Sequence, residues 1–163
     1  MARYQAIVLK KQPIREHDEL IMCYTQHAGK QRYVAKSSQL ASSLQGSHLD
    51  VLNHISFNLV AGKHFDILAS AQAVNTFPEL KSSLSALANT FFILECFDKL
   101  VYDNEPDEKL WQFLLDRLGD PVTEQEIIAI MGHHAPTRFS ELTRARIVPW
   151  IPLEVAPTGK YPR

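Results

Sequence analysis

Only two cysteines stand in the 163 residues, Cys23 and Cys96, each inside an apolar run and far apart in sequence. That scarcity excludes a disulfide framework and a cysteine-rich metal module, and it fits reduced, buried thiols in the cytosol. No stretch approaches the roughly 20 consecutive apolar residues a membrane helix needs, and Met1-Ala2-Arg3-Tyr4 lacks the apolar core of a secretory signal. A cytoplasmic protein with no membrane partner is expected. A strong polar bias is missing too: apolar residues make up 45% and charged residues 21%, a balance that lets a core form.

Catalytic motifs are equally absent. There is no G-x-S-x-G elbow, no H-E-x-x-H and no Gly-rich phosphate loop with its lysine. His17-Asp18 with Ser37 or Ser38 assembles a triad on paper, but such triples arise by chance in most chains of this size. For zinc, the one suggestive pair is His133-His134, and adjacent histidines point apart on a regular element. Neither an enzyme nor a cofactor is expected.

What is present begins with charge. The net charge is −1, yet residues 1 to 36 carry Arg3, Lys10, Lys11, Arg15, Lys30, Arg32 and Lys36 against Glu16, Asp18 and Glu19. Residues 81 to 119 run the other way, with seven acids against four bases. One part of the chain would attract a polyanion and the other repel it.

The pattern of apolar residues predicts an α+β chain. Tyr4 to Lys11, Glu19 to Gln26 and Lys30 to Lys36 read as three strands, with Gly29 in a tight hairpin. From Val51, the residues Ile55, Phe57 and Leu59 share a face opposite His54, Ser56 and Asn58, with Asn53 an exception. Ala61-Gly62-Lys63 reads as a short hairpin loop, after which Phe65, Ile67, Ala69, Ala71 and Ala73 share the next strand's inner face. Ser37 to Gly46 reads as a surface loop. Five short strands suit a closed barrel of the oligonucleotide-binding (OB) type, and an open meander equally.

Beyond Pro78, Leu84, Leu87, Phe91, Leu94 and Val101 recur at helical spacing, widened by Phe92, Ile93, Phe97 and Leu100. Pro106 opens a second helix with Leu110, Trp111, Phe113, Leu114 and Leu118 on one face, closed by Gly119, so that the two form a helical hairpin. Thr123 and Glu126 have capping-box spacing ahead of a third, short helix. The expected organisation is a barrel over 1–77, a helical domain over 78–132 and a Pro-rich segment over 133–163, with at most one short helix near Phe139 to Arg144.

The basic residues supply the candidate site. Lys30, Arg32 and Lys36 fall on one face of the third strand, while Lys10, Lys11 and Arg15 lie at the end of the first strand and in the loop after it. Together they would border a groove, with Tyr24 and Tyr33 as stacking surfaces for single-stranded nucleic acid. The same residues also suit a solvated barrel surface with its tyrosines in the core.

The wording of the chain adds a resemblance. Tyr4-Gln5-Ala6-Ile7-Val8-Leu9-Lys10, Leu20 to Thr25 and Gly29-Lys30-Gln31-Arg32-Tyr33-Val34-Ala35-Lys36 resemble the opening of the RecO family of bacterial DNA repair proteins. Leu44-Gln45-Gly46, Leu49-Asp50, Phe65-Asp66-Ile67-Leu68, Ala71 to Val74, Phe77-Pro78 and Glu105-Pro106 continue the likeness in order, to about residue 118. The resemblance implies an OB barrel followed by helices, in a recombination mediator that binds single- and double-stranded DNA and anneals complementary strands. It further implies RecR and the tail of single-strand binding protein as partners, help in loading the recombinase RecA, and association with the nucleoid.

Two departures from the family pattern matter. Ser37 to Ser43 carries no charge where the family has further Arg and Lys, and the helical region is expected to be shortened, with no four-cysteine zinc site. The leading expectation is a RecO-type DNA-binding and annealing protein. Its rival is a protein-interaction adaptor of the same fold with little DNA affinity. A helix-turn-helix beginning at Thr123 to Arg146 is a third, weaker reading.

Overall fold

The computed structural model describes residues 2–131. His133-His134, the short helix expected near Phe139 to Arg144, most of the helix-turn-helix segment and the Pro-rich segment lie outside the described residues. The chain divides into two units, Met1–Phe77 with Asp103–Pro106, and Pro78–Tyr102 with the residues from Asp107 onward.

In the first unit, β1 (Tyr4–Pro13), β2 (Glu19–Thr25), β3 (Gly29–Ala35), β4 (His54–Val60) and β5 (Ile67–Asn75) close into a barrel. The order around it is β1-β2-β3-β5-β4, antiparallel except where β3 meets β5 in parallel, so the open meander is excluded. Closure follows from β1, which pairs with β2 on one side and with β4 on the other. A ten-residue strand serves two neighbours because a register shift between Val8 and Lys10 leaves Leu9 unpaired against β2 and bends the strand.

The inner face gathers Ala6, Val8, Ile21, Cys23, Tyr33, Ala35, Ile55, Phe57, Leu68 and Ala71, with Leu49 entering from a single 3₁₀ turn, Ser47–Leu49. Asn53, the exception in the alternation, is buried, and its amide donates to the carbonyls of Ser47 and His48 at 3.4 and 3.0 Å. It thus ties that turn to the barrel and leaves its own donor paired. Burial pushes the thiols of Cys23 and Cys96 upward in pKa, in keeping with inert core cysteines.

Two local expectations require correction. The loop between β4 and β5 runs over residues 61–66, longer than Ala61-Gly62-Lys63, and it holds Phe65 outside the strand. Gly62 permits this path, because a Cβ there would collide with the Phe65 carbonyl. In β5 the inward residues are Leu68 and Ala71, while Ala69 is exposed. The pairing steps from Asn58↔Ser70 to Leu59↔Leu68, so Ala69 is the extra residue of a bulge and the face flips across it.

In the second unit, α1 (Pro78–Lys81), α2 (Leu84–Leu100), α3 (Glu108–Arg117) and α4 (Glu124–Met131) follow one another. The buried residues of α2 are Asn89, Thr90, Phe92, Ile93, Leu94, Cys96, Phe97 and Leu100, whereas Leu84 and Phe91 are exposed. Leu94, Val101 and the widening residues Phe92, Ile93, Phe97 and Leu100 are covered as expected, while Leu84 and Phe91 are not, since an all-round apolar helix does not show by periodicity where its cover ends. Asn89 Nδ2 donates to the Gly119 carbonyl at 3.3 Å, linking α2 to the turn after α3. No described helix is long and apolar enough to cross a membrane.

The capping box forms as its spacing predicts. The Glu126 backbone N–H donates to Thr123 Oγ1 at 3.2 Å, and the Thr123 N–H donates to Glu126 Oε2 at 2.8 Å. The hydrogen bond from Arg117, 2.8 Å from Glu126 Oε1, and the Thr123 N–H hold the Glu126 carboxyl below its ordinary pKa. Thr123→Ala should therefore destabilise the helical unit by about 1 kcal/mol, measured by urea unfolding. The contribution of Glu126 itself is present above the ordinary glutamate pKa of 4.5 and fades as pH falls through the lower folded value.

Candidate functional site

On β3 the side chains alternate, with Tyr33 and Ala35 in the core and Lys30, Arg32, Val34 and then Lys36 on the outer face. Beside Val34 and Lys36 the loop after β1 brings Ile14 and Arg15, and the loop before β5 brings Gly62, Lys63, His64 and Phe65. These residues line a cleft of about 380 Å³. A second cleft of about 280 Å³ continues along the strand past Arg32 and Lys30 to Asp103, with His64 and Phe65 common to both. One outer strand face and two loops therefore make a single furrow along the barrel.

The predicted cations fare differently from one another. Lys36 is exposed, lines the furrow and makes no ion pair among the described residues. Arg15 lines it too, with Nη1 3.2 Å from Asp18 Oδ2 and the side chain 63% exposed. The Asp18 carboxyl is held below its ordinary pKa, first by the Ser37 N–H at 2.7 Å and then, against the opposing effect of burial, by Arg15. Lys10 is exposed but lines neither cleft, and Lys11 is turned to Glu19 and Asp50 at 3.7 and 3.4 Å.

Lys30 and Arg32 are occupied. Lys30 is 4% exposed, with Nζ 3.5 Å from Asp103 Oδ1, and Arg32 Nη1 lies 2.6 Å from Asp103 Oδ2. Burial acts to raise the Asp103 pKa, but the Arg32 hydrogen bond and the two cations bring it below the ordinary 3.8. The expectation of basic and acidic regions acting apart is corrected here. An acid from the acidic stretch sits on the basic strand, because Asp103–Pro106 belongs to the barrel unit.

The tyrosines are the other correction. Tyr33 is 3% exposed, its ring 5.5 Å from that of Phe57 in the core, and Tyr24 is fully buried. Burial pushes the Tyr33 phenol well above its usual pKa. Neither ring is presented for base stacking, because the pleat that turns Lys30, Arg32 and Lys36 outward turns Tyr33 inward. The exposed aromatic that lines the furrow is Phe65, 43% accessible and flanked by Lys63 and His64. Periodicity alone places Phe65 on a strand's inner face and so misses it. Its signal in the sequence is the Lys63-His64-Phe65 triplet just after Gly62, a cation beside rings in a loop.

The paper triad also resolves. Asp18 accepts the Ser37 backbone N–H, the His17 carbonyl accepts from Gln39 at 3.2 Å, and Ser38 Oγ donates to Glu19 at 2.8 Å. These hydrogen bonds anchor the loop after β3. Among the described residues no group of three or more His, Cys, Asp and Glu is placed to hold a metal ion.

A closed five-stranded barrel in this strand order, with a 3₁₀ turn between its third and fourth strands and a furrow bounded by the β1–β2 and β4–β5 loops, is an OB-type barrel. Residues 1–77 match the family model described as "Recombination protein O N terminal". The chain is 29% identical over 116 residues to the DNA repair protein RecO of Desulforamulus reducens, covering 71% of this chain and 45% of that protein. It is 30% identical over 142 residues to the DNA repair protein RecO of Geobacter metallireducens, covering 80% and 58%. With the RecO of Pelotomaculum thermopropionicum it shares 27% identity over 138 residues, covering 78% and 54%. The first 77 residues thus match the amino-terminal family of RecO, and the chain, similar to these RecO proteins, spans about half their length.

Proposed function

We propose that this chain is a DNA-binding protein of RecO type that takes single strands along the furrow on the outer face of β3. The observation that carries the reading is the cleft that gathers Arg15, Lys36 and Lys63 around the exposed ring of Phe65. Cations that track a backbone beside a ring on which a base can stack are the requirements of single-strand binding with little sequence preference. Ile14 adds an apolar edge on the opposite lip. Lys10 would extend the positive field from β1 without touching the strand.

In this reading the barrel holds one strand with its bases available, which supports annealing of a complement and handover of the strand to a recombinase. Duplex DNA, RecR and the tail of single-strand binding protein are the further partners proposed, with action at the nucleoid. The test is a titration of a labelled oligothymidine from about 50 to 200 mM salt, in which affinity falls linearly on logarithmic axes.

The adaptor reading keeps a specific observation of its own. Lys11, Arg15, Lys30 and Arg32 all face acids of the same chain, and the loop over Ser37 to Ser43 is uncharged. Binding that is absent at low salt selects that reading over the DNA furrow.

A further inference from the structure

The acid at the end of the furrow is held there by the backbone. The Asn104 N–H donates to the Lys30 carbonyl at 3.1 Å, and Gln31 Nε2 donates to Asn104 Oδ1 at 2.8 Å. Gly29, at φ +70°, leaves the Glu105 backbone where a Cβ would lie 2.5 Å from it, so no side chain fits between the two segments. Three successive residues are thus seated on the β2–β3 hairpin, and the Asp103 carboxylate is delivered to Lys30 and Arg32. Its two oxygens, one toward each cation, have the charge and the fork of a phosphodiester's two free oxygens.

The two cations are not equivalent. The Lys30 side chain is 5% exposed and that of Arg32 is 37% exposed, at the wall of the cleft that His64 and Phe65 also line. Lys30 is a buried charge that needs a counterion, whereas Arg32 can exchange one anion for another without leaving its place.

We infer that Asp103 is a built-in competitor for nucleic acid: it occupies the phosphate position at Arg32 and closes that end of the furrow to a bound strand. This rests on the DNA-furrow reading. The footprint of a bound strand then ends at Phe65 when Asp103 is in place and extends by one phosphate when it is not. Affinity is held below what the basic strand would otherwise give, which suits a protein that must release the strand it has positioned.

The test is the salt dependence of oligothymidine binding by Asp103→Asn. The variant should bind more tightly at low salt, and its slope of log affinity against log salt should steepen by about 0.7, the value of one further phosphate neutralised on a single strand. Its advantage over the parent should accordingly shrink about threefold between about 50 and 200 mM salt. Adding Arg32→Gln should abolish the gain, while Arg32→Gln alone should leave the parent's slope as it was.

Because Asp103→Asn removes the carboxylate beside the buried Lys30, the double variant Lys30→Met/Asp103→Asn serves where the single one fails to fold, and it should show the same steepening. A parent whose slope depends on Arg15, Lys36 and Lys63, together with folded Asp103 variants of unchanged slope, overturns the inference alone and makes Asp103 a structural counterion. No salt-dependent binding by parent or variants overturns both the inference and the furrow.

Discussion

Phe57→Ala is expected to destabilise the barrel unit by about 3 to 5 kcal/mol, the usual cost of removing a buried aromatic ring. The ring is fully buried and packs 5.5 Å from Tyr33 and 5.9 Å from Tyr4, centroid to centroid. It sits on β4 opposite Tyr4 of β1 and Ala71 of β5, so both seams that β4 makes in closing the barrel meet at this residue. Collapse of the surroundings would relieve little of the cavity, because the neighbouring side chains are fixed by strand pairing on either side. For a unit of this size the loss corresponds to a fall in Tm of roughly 15 °C or more. Phe65→Ala is the control. At 43% exposure it should melt within a few degrees of the parent, and equal losses for the two would mean that Phe65 is a core residue.

Replacing Arg15, Lys36 and Lys63 together by Gln should flatten the salt slope of single-strand binding by about 2, since each phosphate left without its cation takes away about 0.7. Affinity at low salt should fall by roughly two orders of magnitude with sequence preference unchanged, because cations on phosphates carry no base information. Phe65→Ala should weaken binding by about 1 to 3 kcal/mol while leaving the slope intact, the mark of missing stacking rather than missing charge. Tyr33→Ala, by contrast, should cost stability, since that ring is in the core. Lys99, Lys109 and Arg117 changed to Gln provide the comparison set from the helical unit. If that set weakens binding more than the furrow set does, the strand runs elsewhere and the furrow assignment is wrong.

The two predictions draw on different kinds of information. Phe57 is legible from the chain alone: Ile55, Phe57 and Leu59 alternate with polar neighbours, and a period of two places all three on one face. The capping box at Thr123 and Glu126 is legible for the same reason, since both partners lie within one helical turn. Lys36 and Arg15 follow from charge and strand ends. Lys63 and Phe65 do not, because the pattern of the chain makes the loop before β5 three residues long, and only its real length puts Phe65 outside the strand.

By itself, then, the sequence determined the strands and helices, the closed barrel as one of two arrangements beside an open meander, and the cations of the outer β3 face, because these follow from periodicity and composition within a few residues. The tertiary structure decided that the sheet closes, which way Tyr33 and Leu68 turn, and what faces each cation. The bulge at Ala69 inverts a face that an unbroken period of two would have kept. Arg32 and Asp103 stand 71 residues apart in the chain and 2.6 Å apart in space. No local pattern reveals such a pair, because it exists only once the segment after α2 has returned to the Gly29 hairpin, and Coulomb attraction depends on separation in space alone.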